Sequence, residues 1–137
     1  MTDRLPDFIV VDDDEVNNMI CEKVITRTIP GAVVISFTKP EAGLAFILST
    51  FCDPDAGKAT LLLDINMPTM TGWEFMNRFE KAGPVVKEKI FIYILSSSVN
   101  PVDKDRAANN NDVTGYIEKP LTPEFIKTLD INNLNNV

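Results

Sequence analysis

At 137 residues with 45% apolar side chains, the chain has the size and composition of one ordinary domain that can bury a core of its own. A formal charge of -7 and a pI near 4.5 disfavour nucleic acid and anionic membrane surfaces, which are gripped by clustered Lys and Arg. With His 0 in the composition, the usual general base and the commonest transition-metal ligand are missing, and any chemistry has to run on carboxylates, hydroxyls and lysine.

The N-terminus Met1-Thr2-Asp3-Arg4 has no basic-then-apolar signal pattern, and no apolar stretch approaches the roughly 20 residues of a membrane span, so a cytoplasmic protein is expected. The first apolar run, within residues 7–12, stops on Asp12-Asp13-Asp14. Buried charge is costly unless paired or metal-bound, so these acids are placed at the solvent-facing end of a strand. Residues 15–29 follow with Val16, Met19, Ile20 and Val24 at helical spacing. A second strand is expected over 32–37 after a tight turn at Gly31. It is followed by a helix over 39–52 that presents Leu44, Ile47, Leu48 and Phe51 and starts on a capping box at Thr38-x-x-Glu41. A third strand over 60–64 ends on Asp64. Its helix starts on a second capping box, Thr71-x-x-Glu74, opens at Gly72, and presents Trp73, Phe75, Met76 and Phe79.

The fourth strand, over 89–95, ends on Ser96-Ser97-Ser98, and Asn100-Pro101 then pairs an N-cap with proline at the first helical position. Asn109-Asn110-Asn111 reads as the end of that helix and a turn. A short fifth strand is expected over 114–117, with Gly115 read as the tight turn before its apolar pair Tyr116-Ile117, and it leads to Glu118-Lys119-Pro120. The last helix starts at Thr122-Pro123, and Asn132 to Asn136 reads as a frayed terminus. Cys21 and Cys52 have neither a CxxC pattern nor a histidine partner and are expected as core thiols. Five strands strictly alternating with five helices predict an α/β fold, a doubly wound parallel sheet with helices on both faces, occupying residues 1–137 as a single domain.

In such a sheet the functional site lies at the carboxyl ends of the strands. Asp12, Asp13 and Asp64 would converge there with Ser96 and Lys119. Hard oxygens from two strands suit Mg2+, and a carboxylate beside a divalent cation and an ammonium group can attack phosphorus to give an acyl phosphate.

On these residues the chain resembles the receiver domains of two-component response regulators, from about Phe8 to Leu129. The resemblance implies the flavodoxin-like strand order 2-1-3-4-5, with Asp12 and Asp13 as the acidic pair that holds Mg2+. Asp64, in Asp64-Ile65-Asn66-Met67-Pro68-x-Met70-x-Gly72, is then the phosphoacceptor and a further metal ligand, together with the backbone carbonyl of Asn66. It further implies Ser96 as the switch hydroxyl, Tyr116 as the switch aromatic, Lys119 as the active-site lysine and Pro120 as a cis proline. The chain departs mildly from the pattern, with serine in place of the commoner threonine at 96 and polar Ser97 and Ser98 where a small residue often follows. The implied partners are a histidine kinase or a histidine phosphotransfer protein as donor and a downstream protein target, with no nucleic acid and no membrane. Partner choice in that family usually resides on the first helix and the loop after the last strand, here around Asn17, Asn18, Glu22 and Leu121. With no output domain after Val137, the expected role is that of a standalone receiver, not a conventional enzyme, that switches its affinity for partners.

Two other readings compete. Asp12-Asp13-Asp14-Glu15-Val16 fits the DxDx[TV] signature of haloacid-dehalogenase-type phosphatases, with Asp12 as nucleophile and the third acid as general acid, but that reading leaves Asp64 unexplained. A receiver without phosphoryl chemistry, used only as a binding module, is the other. A flavin carrier is disfavoured because three carboxylates in the first loop would repel its phosphate.

Overall fold

The computed structural model describes residues 4–135. The elements alternate as β1 (Phe8–Val11), α1 (Glu15–Thr28), β2 (Val34–Phe37), α2 (Pro40–Thr50), β3 (Ala59–Leu63), α3 (Gly72–Glu80), α4 (Pro84–Lys89), β4 (Ile90–Ser96), α5 (Pro101–Ala108), β5 (Val113–Glu118) and α6 (Pro123–Asn135). All strand pairs are parallel, in the order β2-β1-β3-β4-β5. This is the flavodoxin-like order expected, with six helices where five were anticipated. The additional helix is the six-residue α4, which buries only Val86; a segment that short has no apolar stripe to read. Its start at Gly83-Pro84 carries the proline favoured at a first helical position.

Strand side chains alternate between two separate cores. Ile9, Val11, Leu61, Leu63, Ile92 and Ile94 face the layer containing α2, α3, α4 and α5, where Leu44, Ile47, Phe51, Phe75, Met76 and Phe79 are buried. Phe8, Val10, Leu62 and Leu95 face the opposite layer, built from Cys21 and Ile25 of α1, Leu121 just before α6, and Ile126 and Leu129 of α6. β1 and β3 are buried along their whole length, as continuous apolar runs covered on both faces should be.

α1 is turned differently from its apolar spacing. Val16, Met19 and Ile20 are 63%, 56% and 42% exposed, while Asn17, Asn18, Cys21 and Ile25 are buried. The two asparagines cause this turn: Asn17 Nδ2 donates to Asp12 Oδ2 at 2.8 Å and Asn18 Nδ2 to the Asp12 carbonyl at 3.0 Å, and both bonds form only with that face inward. The Thr38 capping box does not form either. Proline at 40 takes the first helical position and holds Lys39 extended, so Lys39 is the N-cap and no side chain caps α2. The remaining start signals hold: Thr71 accepts from Glu74 N, Asn100 from Val102 N and Thr122 Oγ1 from Phe125 N. Cys21 is buried as expected, with burial pushing its thiol up to about 11, whereas Cys52 lies beyond the end of α2 and is exposed. Gly31 adopts φ 90 in the turn before β2. Gly115 lies inside β5, not before it, where a Cβ would meet the Tyr93 ring at 3.1 Å. α6 runs on through Asn135, so the stretch expected to fray is helical up to that point, and Asn136 lies outside the described residues.

The loop after β3 is closed by Gly72 N–H donating to the Ile65 carbonyl at 2.8 Å. A Cβ at Gly72 would stand 2.6 Å from the Asp64 carbonyl oxygen and 2.9 Å from Ile65 Cα, so only glycine lets α3 begin this close to the end of β3. Replacing a helical glycine by alanine ordinarily adds up to about 1 kcal/mol, but a backbone clash of this kind costs about 1–3 kcal/mol and dominates. Gly72→Ala is therefore expected to lower the midpoint of chemical denaturation, and an unchanged or raised midpoint would show that the loop gives way freely.

Candidate functional site

Asp12 continues β1, and its N–H donates to the Phe37 carbonyl; Asp64 continues β3, and its N–H donates to the Val11 carbonyl at 3.0 Å. Since β1 lies beside β3, both carboxyls arrive at one edge of the sheet, where Asp13 joins them. One carboxylate oxygen from each of the three acids lies within 4.8 Å of the others. Of the acids expected at a solvent-facing strand end, only Asp13 and Asp14 are exposed; Asp12 is 2% and Asp64 6% exposed.

The buried Asp12 carboxylate is tolerated because donors surround it. Oδ1 accepts from Asp14 N at 2.9 Å, and Oδ2 accepts from Asn17 Nδ2 and Lys119 Nζ, each at 2.8 Å. Lys119 arrives from the far side of the sheet, just past β5. Its N–H is anchored on the Ser96 carbonyl at 2.9 Å, and the Lys119–Pro120 peptide is cis. The Lys119 ammonium also lies 3.7 Å from Asp64 Oδ1. Burial draws the lysine down, but the Asp12 hydrogen bond and the charges of Asp64, Asp12 and Asp14 outweigh it, so Lys119 is held above its ordinary value and stays charged. Asp64 shifts the other way from an ordinary carboxylate. Burial and the neighbouring Asp12 raise it from 3.8 to about 6, against the lowering effect of Lys119 and of the Asn66 and Ile65 amides.

Asp14 stands apart from this cluster. Its Oδ1 accepts from the Val16 amide at 2.9 Å and the Asn17 amide at 3.4 Å as the N-cap of α1, which occupies the carboxyl that a phosphatase reading requires as general acid. Ser96, fully buried at the end of β4, accepts on Oγ from Ser98 N at 3.1 Å. Tyr116, half-buried on β5, donates its hydroxyl to the Ser98 carbonyl at 2.7 Å. Asn66 lies exposed in the loop after Asp64. Of the residues expected to select partners, Asn17, Asn18 and Leu121 are buried and only Glu22 is exposed.

Asn17 was not anticipated as part of the site. Its signal was legible: Asn18, Cys21 and Ile25 form a helical stripe as regular as the apolar one, and Asn17 borders it. Three oxygen donors converging at an acidic, partly solvated edge match the hard-ligand preference of Mg2+. Among the described residues, no helix is long and apolar enough to cross a membrane.

Residues 8–129 match the family described as the response regulator receiver domain. A curated relative, the sensor histidine kinase CheAY of Helicobacter pylori, is 27% identical over 125 residues, which are 90% of this chain but 14% of that protein. Among solved structures, a two-component response regulator from Cytophaga hutchinsonii is 27% identical with a TM-score of 0.83, covering 97% of this chain and 99% of its own. A response regulator receiver protein from Dyadobacter fermentans is 26% identical with a TM-score of 0.82, covering 93% and 97%.

The raised Asp64 carboxyl makes stability depend on pH. The folded chain holds this proton to about 6 and the unfolded chain only to 3.8, so the group's favourable contribution is complete below the unfolded value and is lost as pH rises through the folded one. In buffer without divalent cations, Asp64→Asn is expected to be more stable than the parent above pH 7, by on the order of 2 kcal/mol, and the difference should shrink as pH falls toward 4. Urea denaturation of both proteins across that range measures it, and a gap that is constant with pH would mean the Asp64 carboxyl is not strained.

Proposed function

Because the chain belongs to the response regulator receiver domain family, we propose that it is a phosphoryl-accepting switch in which Asp64 takes the phosphoryl group and Ser96 and Tyr116 convert it into altered affinity for a downstream protein. The observation that carries this reading is the convergence of Asp12, Asp13, Asp64 and Lys119 at one edge of the sheet. The donor would be a histidine kinase or a histidine phosphotransfer protein. Its approach is favoured by the exposed apolar side chains of Val16, Met19 and Ile20 on α1, the helix that starts immediately after the acidic run.

In the transfer, a carboxylate oxygen of Asp64 attacks phosphorus. The bond from phosphorus to the donor's imidazole nitrogen breaks, and the electron pair leaves on that nitrogen, which takes a proton from solvent. Asp12, Asp13 and Asp64, with the main-chain carbonyl of Asn66, would hold Mg2+, which supplies positive charge against the transferring oxygens. Lys119 is already charged and within 3.7 Å of Asp64, placed to neutralise a further oxygen. Ser96 donates its hydroxyl to a phosphoryl oxygen. Water later attacks phosphorus, the bond to Asp64 breaks, and inorganic phosphate leaves. The bulk of the site is electrostatic, and removing the receiving carboxylate removes the reaction.

With acetyl phosphate and Mg2+, mass spectrometry is expected to show one added phosphoryl group on the parent chain and none on Asp64→Asn, while neither protein turns over small phosphoesters. Label persisting on Asp64→Asn would overturn the assignment, and a parent chain that takes no label would point to a binding module without phosphoryl chemistry.

Tyr116 touches neither the acids nor Lys119 through its hydrogen bond, which goes to the Ser98 carbonyl. Tyr116→Ala should therefore be labelled at Asp64 like the parent yet lose the conformational response. Hydrogen exchange over residues 98–118, with and without beryllofluoride as a phosphoryl mimic, is expected to change in the parent and much less in the variant; equal changes would make Tyr116 a packing residue only.

A further inference from the structure

Ser98 holds four hydrogen bonds that radiate to three parts of the fold. Its N–H donates to Ser96 Oγ at 3.1 Å, and its carbonyl accepts from the Tyr116 hydroxyl at 2.7 Å. Its own hydroxyl donates to Asp103 Oδ2 at 2.9 Å and accepts from Asn100 N at 3.2 Å. The Asp103 carboxylate does not end there: Oδ1 accepts from Trp73 Nε1, on α3, at 3.3 Å. One turn further along α5, the Arg106 guanidinium lies 4.9 Å from the Trp73 ring centroid. Trp73 is buried and its indole N–H bonds to Asp103, so the tryptophan cannot move without finding another acceptor.

We propose that Ser98 divides the switch in two: besides the path to Tyr116, a second arm runs from Ser98 through Asp103 to Trp73 and carries the state of the Ser96 hydroxyl to the α3–α5 surface. Asp103 is the positioning residue of this arm. The inference rests on the reading of Asp64 and Ser96 given above. In the structure, Ser96 Oγ is the acceptor for the Ser98 amide. When Ser96 turns its hydroxyl to a phosphoryl oxygen, that amide loses its acceptor in a half-buried position, which favours movement of the Ser98 peptide. Because the bonds to Tyr116, Asp103 and Asn100 leave from the same residue, that movement disturbs all of them together. The Ser98 hydroxyl's bond to an Asp103 carboxyl oxygen, at 2.9 Å, is shorter than the Trp73 bond at 3.3 Å, and it holds the resting arrangement.

The chain contains Trp 1, so tryptophan emission reports Trp73 alone. The experiment titrates beryllofluoride in Mg2+ onto the parent chain, Ser98→Ala and Asp103→Ala, following bound fluoride by fluorine NMR and Trp73 by emission. Ser98→Ala keeps the backbone bonds to Ser96 and Tyr116 and leaves the Asp103–Trp73 pair in place, deleting the link to Asp103 together with the acceptor of the Asn100 amide. The parent is expected to change its emission on binding and Ser98→Ala to bind yet lose most of that change, and both Ser98→Ala and Asp103→Ala are expected to bind more tightly than the parent, on the order of tenfold, because each lacks the Ser98–Asp103 bond of the resting state. A parent that binds but shows no emission change overturns the arm alone, as does a Ser98→Ala response equal to the parent's or an unaltered affinity in Asp103→Ala. A parent that binds no beryllofluoride overturns the Asp64 reading, and the arm with it.

Discussion

The Asp12 carboxylate, nearly without solvent, is the constraint around which the site is organised. A carboxylate in that position persists only if its oxygens are saturated by donors, and while Asp14 and Asn17 supply two of them from the next few residues, the third, Lys119, comes from the far end of the chain. Lys119 must reach across from the end of β5, which requires the sheet order that sets β1 and β3 centrally and brings the lysine over the Asp64 carboxyl. Asn17 must turn inward, which rotates α1 and leaves Val16, Met19 and Ile20 facing solvent. One buried charge thus accounts for the ion pair, the orientation of the first helix and the exposed apolar face next to the acids.

The same arrangement sets stability against chemistry. Asp64 lies close enough to Asp12 for each charge to disfavour the other, and one lysine is shared between them. Two carboxylates and one ammonium leave negative charge in excess even before Asp13 is counted. Such a site is improved by added positive charge, whereas a site built for stability alone would replace one acid by an amide.

The strands and the convergence of Asp12, Asp13, Asp64 and Lys119 were legible because continuous apolar runs ending in charge have few other solutions in a parallel sheet, whereas the strand order came from the family resemblance. Thr71 and Asn100 were legible because caps act within a few residues. The features that escaped depend on partners distant in sequence or on competition between local signals. The orientation of α1 is decided by asparagine bonds to Asp12, which reverse the face that hydropathy alone selects. At Thr38 the cap signal competes with Pro40 two residues further on, and the proline wins because its ring restricts Lys39 sterically. Asp103 had no visible role until α3 and α5 were placed side by side, since Trp73 lies 30 positions away from it.

The sheet keeps its two side-chain layers apart. Val10 and Leu62 pack toward α1 and α6, while their neighbours Val11 and Leu63 pack toward α2 through α5. Substitutions in one layer and the other share no side-chain partners, so their effects on stability should add. Over evolutionary time the helix beside the acidic run and the helices on the far side can then be rewritten by separate sets of mutations. A lineage that duplicates this chain could retune what approaches α1 while preserving what α3 and α5 present, or the reverse, without first rebuilding the core.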